Sequence, residues 1–140
     1  MTVTVEQLAA ETVVIRSDAD IVEARRRLRA LAESLGFSTA ELAMTATAVS
    51  ELARNILTYA RVGEIAVAVH AEGRRKGVRV IASDRGPGIA DVELAMQDGY
   101  TTSGGLGLGL PGSKRLVDQF ELESAVGVGT TVTLTKWSSD

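Results

Sequence analysis

Eight of the 14 glycines in this chain fall between Gly86 and Gly112, four of them in the run Gly104-Gly105-Leu106-Gly107-Leu108-Gly109. Glycine loses more backbone freedom in regular structure than any other residue, so this stretch is expected to be loop, with the helices and strands built on either side of it. A glycine run also leaves main-chain N–H groups bare, which suits an anion, above all where a helix start follows. Two further segments stand upstream in order, Glu51-Leu52-Ala53-Arg54-Asn55 and Asp84-Arg85-Gly86-Pro87-Gly88. The first sets a carboxylate and an amide one helical turn apart, a pair that fits a general base beside a magnesium ligand. The second puts an acceptor before a glycine turn. In series, the three read as a nucleotide site.

Composition sets the outer bounds. At 140 residues, 45% hydrophobic and 24% charged, the chain is expected to form one domain over 1–140 with a real apolar core. A net charge of −3 gives no broad footprint for nucleic acid, and the clusters Arg25-Arg26-Arg27 and Arg74-Arg75-Lys76 read as solvated surface. Cysteine is absent and His70 is the sole histidine, so zinc lacks its usual ligands. The N-terminus lacks the basic start and apolar stretch of a secretory signal, and no uncharged apolar run approaches the ~20 residues that span a membrane. The expectation is a cytoplasmic protein with neither nucleic acid nor membrane as partner.

Along the chain, residues 12–16 read as a strand ending at Ser17-Asp18. A helix follows, on which Ile21, Ala24, Leu28, Leu31 and Leu35 recur at helical spacing until Gly36. Ser38 with Glu41 makes a capping-box pattern opening a second helix over residues 39–60. Residues 64–70 and 78–83 predict an antiparallel hairpin with its turn over 72–77, which delivers Asp84 to a strand end. A short helix over 91–96, loop over 97–109, a helix over 113–119, and strands over 120–125 and 130–136 complete the reading. The fold class predicted is α+β, a two-layer α/β sandwich whose mostly antiparallel sheet carries helices on one face.

On the second helix, 100° per residue puts Glu51 and Asn55 about 40° apart, nearly opposite the stripe of Val49, Ala53 and Ile56. Met44, Ala48, Leu52 and Tyr59 lie on or near that face, so the two polar groups sit in an apolar cleft where burial calls for a partner. Asp84 closes the run Val78 to Ser83, where a ligand donor such as an exocyclic amine would satisfy its charge. Gly107 to Gly112 also matches G-x-G-x-x-G, yet a dinucleotide loop follows a strand inside a βαβ unit, whereas here loop precedes it and a hairpin follows. A Walker loop fails for want of Gly-Lys-Ser/Thr, and a protein-kinase glycine loop for want of its later elements. His70 is expected to be neither catalytic nor a phosphoacceptor, and Trp137 to serve packing or a partner contact.

These segments resemble the three boxes of the GHKL superfamily of ATP-binding proteins, and the match spans most of the chain. Glu51 to Ile56 and the string Asp98 to Gly112 are most similar to the switch kinases of bacterial stressosomes, relatives of the anti-sigma factor serine kinases. The resemblance implies the Bergerat-type fold with ATP and magnesium as cofactors. It implies that Asp84 accepts from the adenine amino group, with Gly86, Gly88 and Thr130 about the base, that Asn55 holds the metal, and that Gly104, Gly105, Gly107 and Gly109 cradle the phosphates. Glu51 is then the base for a serine or threonine hydroxyl of a partner, and Arg54 and Lys114 touch phosphate. Histidine kinases are set apart by an upstream phosphoacceptor helix, and gyrase and chaperone relatives by transducer domains and long lids. Here only about 15 residues separate Gly88 from Gly104.

The function implied is a serine/threonine protein kinase of a partner-switching stress-response module. It would phosphorylate STAS-domain antagonist proteins and, when released from them, activate a PP2C-type phosphatase. The alternatives are an anti-sigma factor that sequesters a sigma factor, using ATP to choose partners, and a nucleotide-binding scaffold without catalysis, which intact Glu51 and Asn55 disfavour.

Overall fold

Among the described residues, β-branched and apolar residues at alternate positions make five strands, which pair into one sheet in the order β1-β2-β3-β5-β4, every neighbouring pair antiparallel. The computed structural model describes residues 11–96 and 109–139. In chain order these give β1 (Glu11–Ile15), α1 (Asp18–Ser34), α2 (Thr39–Asn55), a π-helical turn (Ile56–Ala60), β2 (Gly63–Glu72), β3 (Arg75–Asp84), α3 (Val92–Ala95), α4 (Gly109–Arg115), β4 (Gln119–Ala125) and β5 (Gly129–Trp137). The two-layer fold predicted from sequence is the one observed.

Alternation builds the core. Val13, Ile65, Ala82 and Val132 form one cross-strand row, and Val67, Val80 and Leu134 the next, all buried. Onto that face pack Ile21, Ala24, Leu28 and Ala32 of α1 and Ala46, Val49, Leu52, Ala53 and the following Ile56 from α2 and its extension. The residues between them, among them Val14, Glu64, Ile81, Thr133 and Glu121, face the uncovered side. Among the described residues no helix is long and apolar enough to cross a membrane.

Both long helices begin on the signals the sequence carries. The Asp20 carboxylate accepts from the main-chain N–H groups of Arg16 and Ser17 at 2.9 and 3.0 Å. Glu41 N–H donates to Ser38 Oγ at 3.1 Å while Glu41 Oε1 accepts from Ser38 N–H at 2.8 Å, a reciprocal capping box. On α1, Arg26 and Arg27 both bond Glu23, and the two guanidiniums hold its carboxyl down to about 2.

Several boundaries differ from the sequence reading. The second helix is not one α-helix to residue 60: it is α-helical to Asn55 and closes with the π turn, where Arg61 N–H reaches Ile56 O at 2.8 Å. The β2–β3 hairpin pairs all the way to Glu72 and Arg75, so its turn is only Gly73-Arg74, with Gly73 at φ +63 in the first central position, as a type II′ turn requires. The charged residues Glu72, Arg75 and Lys76, read as loop, are strand because ladder hydrogen bonds override their weak strand propensity. The helix expected over 113–119 runs from Gly109 to Arg115, since Pro111 belongs in a first turn, where its missing N–H is not needed.

Arg61 is the one described non-glycine residue at positive φ, at φ 70 and ψ −35. Such a conformation costs a side-chain-bearing residue about 1–2 kcal/mol, against about 0.5–1 kcal/mol of extra chain entropy lost by glycine. Arg61→Gly is therefore expected to stabilise the protein by up to ~1 kcal/mol, read as a raised urea midpoint. Glu41→Ala should cost ~1 kcal/mol at neutral pH. The Ser38 main-chain N–H lowers the Glu41 pKa from its ordinary 4.5, with Ser139 adding to it. A depressed folded pKa contributes stability above the ordinary value and loses it as the pH falls through the folded one. The difference between Glu41→Ala and wild type in urea unfolding should thus shrink as the pH drops below 4.5.

Candidate functional site

On α2, Ala48 and Leu52 are buried, and Glu51 and Asn55 stand half-buried beside them. Neither polar side chain has a hydrogen-bond partner among the described residues. The apolar setting expected for this pair is present on its inner side, whereas Met44 and Tyr59 are exposed. Arg54 projects into solvent.

β3 points Asp84 toward the helix side of the sheet. Ala82 faces the helices and Ser83 the open side, so Asp84 returns to the helix side, together with its register partner Thr130 and the Ser124 opposite Thr130. The Asp84 carboxylate is half-buried, and its Oδ1 accepts the Gly86 N–H at 2.8 Å, the local turn that Asp favours. That bond fixes the carboxylate plane and leaves Oδ2 as an acceptor.

The turn after Asp84 is locked onto the β4–β5 turn. Gly127 N–H donates to Pro87 O at 2.9 Å. Gly88 sits at φ +78, and a Cβ there would come 2.2 Å from the Ala125 carbonyl oxygen, so conformation and space both exclude a side chain. Ser124 is the hub, with Oγ accepting the Ile89 N–H at 2.8 Å and bonding Thr130 Oγ1 at 2.8 Å and Gly129 O at 3.1 Å. Ser124 escaped the sequence reading. Its signal was register: the hairpin that pairs Ala125 with Gly129 sets Ser124 opposite Thr130.

Of the glycine run, Gly104, Gly105 and Gly107 lie outside the described residues. Gly109 opens α4 at φ 66, its carbonyl accepting from Ser113 Oγ at 3.1 Å, and α4 packs against α2. Pro111, Gly112 and Ser113 are buried there, while Lys114 is exposed. A trough over the sheet end is lined by Val14, Glu64, Ser83, Thr131 and Glu123 of the uncovered face and reaches Asp84, Ser124 and Thr130 at the strand ends, while Glu51 and Asn55 do not line it.

The donor set fits one kind of metal. Among the described residues no three His, Cys, Asp or Glu groups gather as a cage. The Glu51 carboxylate and Asn55 amide oxygen are hard donors of the type magnesium takes when it arrives on substrate phosphates and keeps much of its water. His70 is at the far end of β2, stacked on Trp137 with centroids 5.5 Å apart and bonded to Arg79 at 3.0 Å. Trp137 is buried, and Arg75 covers its ring at 4.1 Å, so it packs as expected.

Comparison with known proteins identifies the family. Residues 16–136 match the histidine kinase-like ATPase domain. The chain is 50% identical over 123 residues to the serine/threonine-protein kinase RsbT of Bacillus subtilis, an alignment covering 88% of this chain and 92% of that one. It is 34% identical over 120 residues to the anti-sigma F factor of Thermoanaerobacter sp. strain X514, covering 81% and 82%. In fold it resembles the crystal structure of the RsbU and RsbW domains of Rv1364c from Mycobacterium tuberculosis, with a TM-score of 0.62 at 21% identity, over 93% of this chain and 33% of that one. It also resembles the mycobacterial sensor histidine kinase MprB, with a TM-score of 0.55 at 17% identity, over 91% and 97%. The chain therefore belongs to the histidine kinase-like ATPase family, in the group that holds the serine/threonine kinase RsbT and the anti-sigma F factors.

Proposed function

We propose that this chain is an ATP-dependent serine/threonine protein kinase of a cytoplasmic partner-switching module. Its substrates are STAS-domain antagonist proteins, and its released form binds and activates a PP2C-type phosphatase. The observation that carries the reading is the half-buried pair Glu51 and Asn55 on α2, without a hydrogen-bond partner among the described residues, on the side of the sheet toward which the fixed carboxylate of Asp84 points. The 50% identity to a serine/threonine kinase supports it.

In this reading Asp84 Oδ2 accepts from the adenine amino group, and Gly86, Gly88 and Thr130 border the base. Asn55 holds magnesium, which when bound neutralises charge on the phosphate oxygens. The N–H groups at Gly104, Gly105, Gly107 and Gly109 bind phosphate, and the exposed cations Arg54 and Lys114 reach it from solvent. The partner's hydroxyl loses its proton to Glu51 as its oxygen bonds the γ-phosphorus, and the bond from that phosphorus to the β–γ bridging oxygen breaks to release ADP. Positioning and charge neutralisation carry most of such a transfer, and a base adds about 10²- to 10⁴-fold.

A second reading, an anti-sigma factor that holds a sigma subunit, draws on the 34% identity to anti-sigma F factors. Retention of a sigma factor in stoichiometric amount, with transcription reduced and no phosphoryl transfer, would establish it in place of the first.

With Mg-ATP and a STAS-domain partner, wild type should yield phosphoserine or phosphothreonine. Glu51→Gln should slow transfer by about 10²- to 10⁴-fold while still binding ATP. Equal rates for the two proteins, or no transfer by wild type, would reject the kinase reading. Asn55→Ala should remove the dependence of ATP affinity on magnesium, measured by calorimetry with and without chelator.

A further inference from the structure

The two glycines of the Asp84–Gly88 turn are glycine for different reasons. Gly88 is fixed by its own backbone, at φ +78 against the Ala125 carbonyl. Gly86 is not at positive φ, so its backbone would accept alanine. What excludes a side chain there is chiefly Ala60: a methyl built on Gly86 would stand 2.6 Å from Ala60 Cβ, 3.0 Å from Ala60 Cα and 3.1 Å from Asp84 Oδ1.

Ala60 is the last residue of the π turn that continues α2 past Asn55. An extra residue in a helical turn is uncommon and widens it. The turn is held by the Arg61 N–H bond to Ile56 O, it packs against both β2 and β3, and Ile56 is buried beneath it. Asn55 and Ala60 thus belong to one continuous stretch of backbone. The turn pays for its shape with the strained Arg61 that follows it. Gly86 in turn holds Asp84 Oδ1 through its N–H.

We infer that Ala60 is a positioning residue for the nucleotide base: its methyl sets the height of Gly86, and through the Gly86 N–H it fixes the plane of the Asp84 carboxylate. This rests on the nucleotide-binding reading of the site. The contact links the end of α2, which carries Glu51 and Asn55, to the turn that carries Asp84. A larger group at position 60 pushes the turn outward, breaks the bond that holds Oδ1, and costs Asp84 its discrimination for a base that donates an amino hydrogen. A methyl at position 86 does the same from the other side.

The test is a side-chain swap. ATP and ITP, which carries a carbonyl oxygen where ATP carries the amino group, are titrated calorimetrically with magnesium into wild type, Ala60→Val, Gly86→Ala and the double variant Ala60→Gly with Gly86→Ala. Urea unfolding is measured on each. Each single variant is expected to lose about tenfold in ATP affinity, the worth of one hydrogen bond to a charged group, and its preference for ATP over ITP should narrow. The double variant removes the closest of the three contacts and should recover part of both. Ala60→Ser, one atom larger than alanine, serves as the milder probe should Ala60→Val fail to fold, and a smaller loss in the same direction is expected.

Singles that shift the urea midpoint but leave ATP affinity and the ATP to ITP ratio at wild-type values would show a structural contact only and overturn the inference. A double variant as weak as Gly86→Ala would do the same. Failure of wild type itself to bind ATP would instead remove the nucleotide reading, and the inference with it, before any variant is compared.

Discussion

A slip of β3 by one residue against β5 would carry Asp84 from the helix side of the sheet to its uncovered side, away from Thr130, because strand side chains alternate. The register that prevents it is set by the core. Ala82 opposite Val132 and Val80 opposite Leu134 bury four apolar side chains against α1 and α2, and a slipped β3 would expose Val80 and Ala82 while burying Arg79 and Ser83. The apolar rows in mid-sheet thereby place the polar pair at the strand ends. A site of this kind has no independent stability; it is positioned by hydrophobic burial two residues away.

From that fixed end, short contacts carry the geometry outward. Asp84 holds the Gly86 N–H, Pro87 accepts from Gly127, and Gly88 lies against Ala125, so the β3 exit and the β4–β5 turn move as one body. Ser124 ties Ile89 to Thr130 within the same body. Against it stands α2, prolonged by a π turn that seats Ala60 over Gly86. The two halves of the candidate site, carboxylate and amide on the helix and acceptor on the sheet, therefore meet through main chain and methyl groups, which have few rotamers to lose, instead of through long polar side chains.

Much of this was legible beforehand, and the reasons differ by element. The capping signal of α2 is local, so Ser38 and Glu41 could be read directly and are seen bonding as expected, while at the start of α1 it is Asp20, not singled out in the sequence, that accepts from Ser17 N–H. The sheet strands were legible because period-two burial leaves its pattern in the residues themselves. The hairpin ends and the start of α4 were not, since ladder pairing at Glu72 and Arg75 and the placement of Pro111 in a first turn are decided by neighbours distant in sequence. The π turn left no local mark at all: Ile56 to Ala60 reads as ordinary helix.

By itself the sequence determined the element types, the two-layer class and the order of Glu51, Asn55, Asp84 and the glycine run, because periodicity, caps and turn residues are local properties of the chain. Only the tertiary structure decided that Ser124 anchors the turn beside Thr130, that the end of α2 widens to bring Ala60 against Gly86, and which of two neighbouring glycines is dictated by backbone angle and which by a facing methyl. Those are contacts between segments 26 to 37 residues apart, and what fits at each depends on the distance of closest approach, which no single segment encodes.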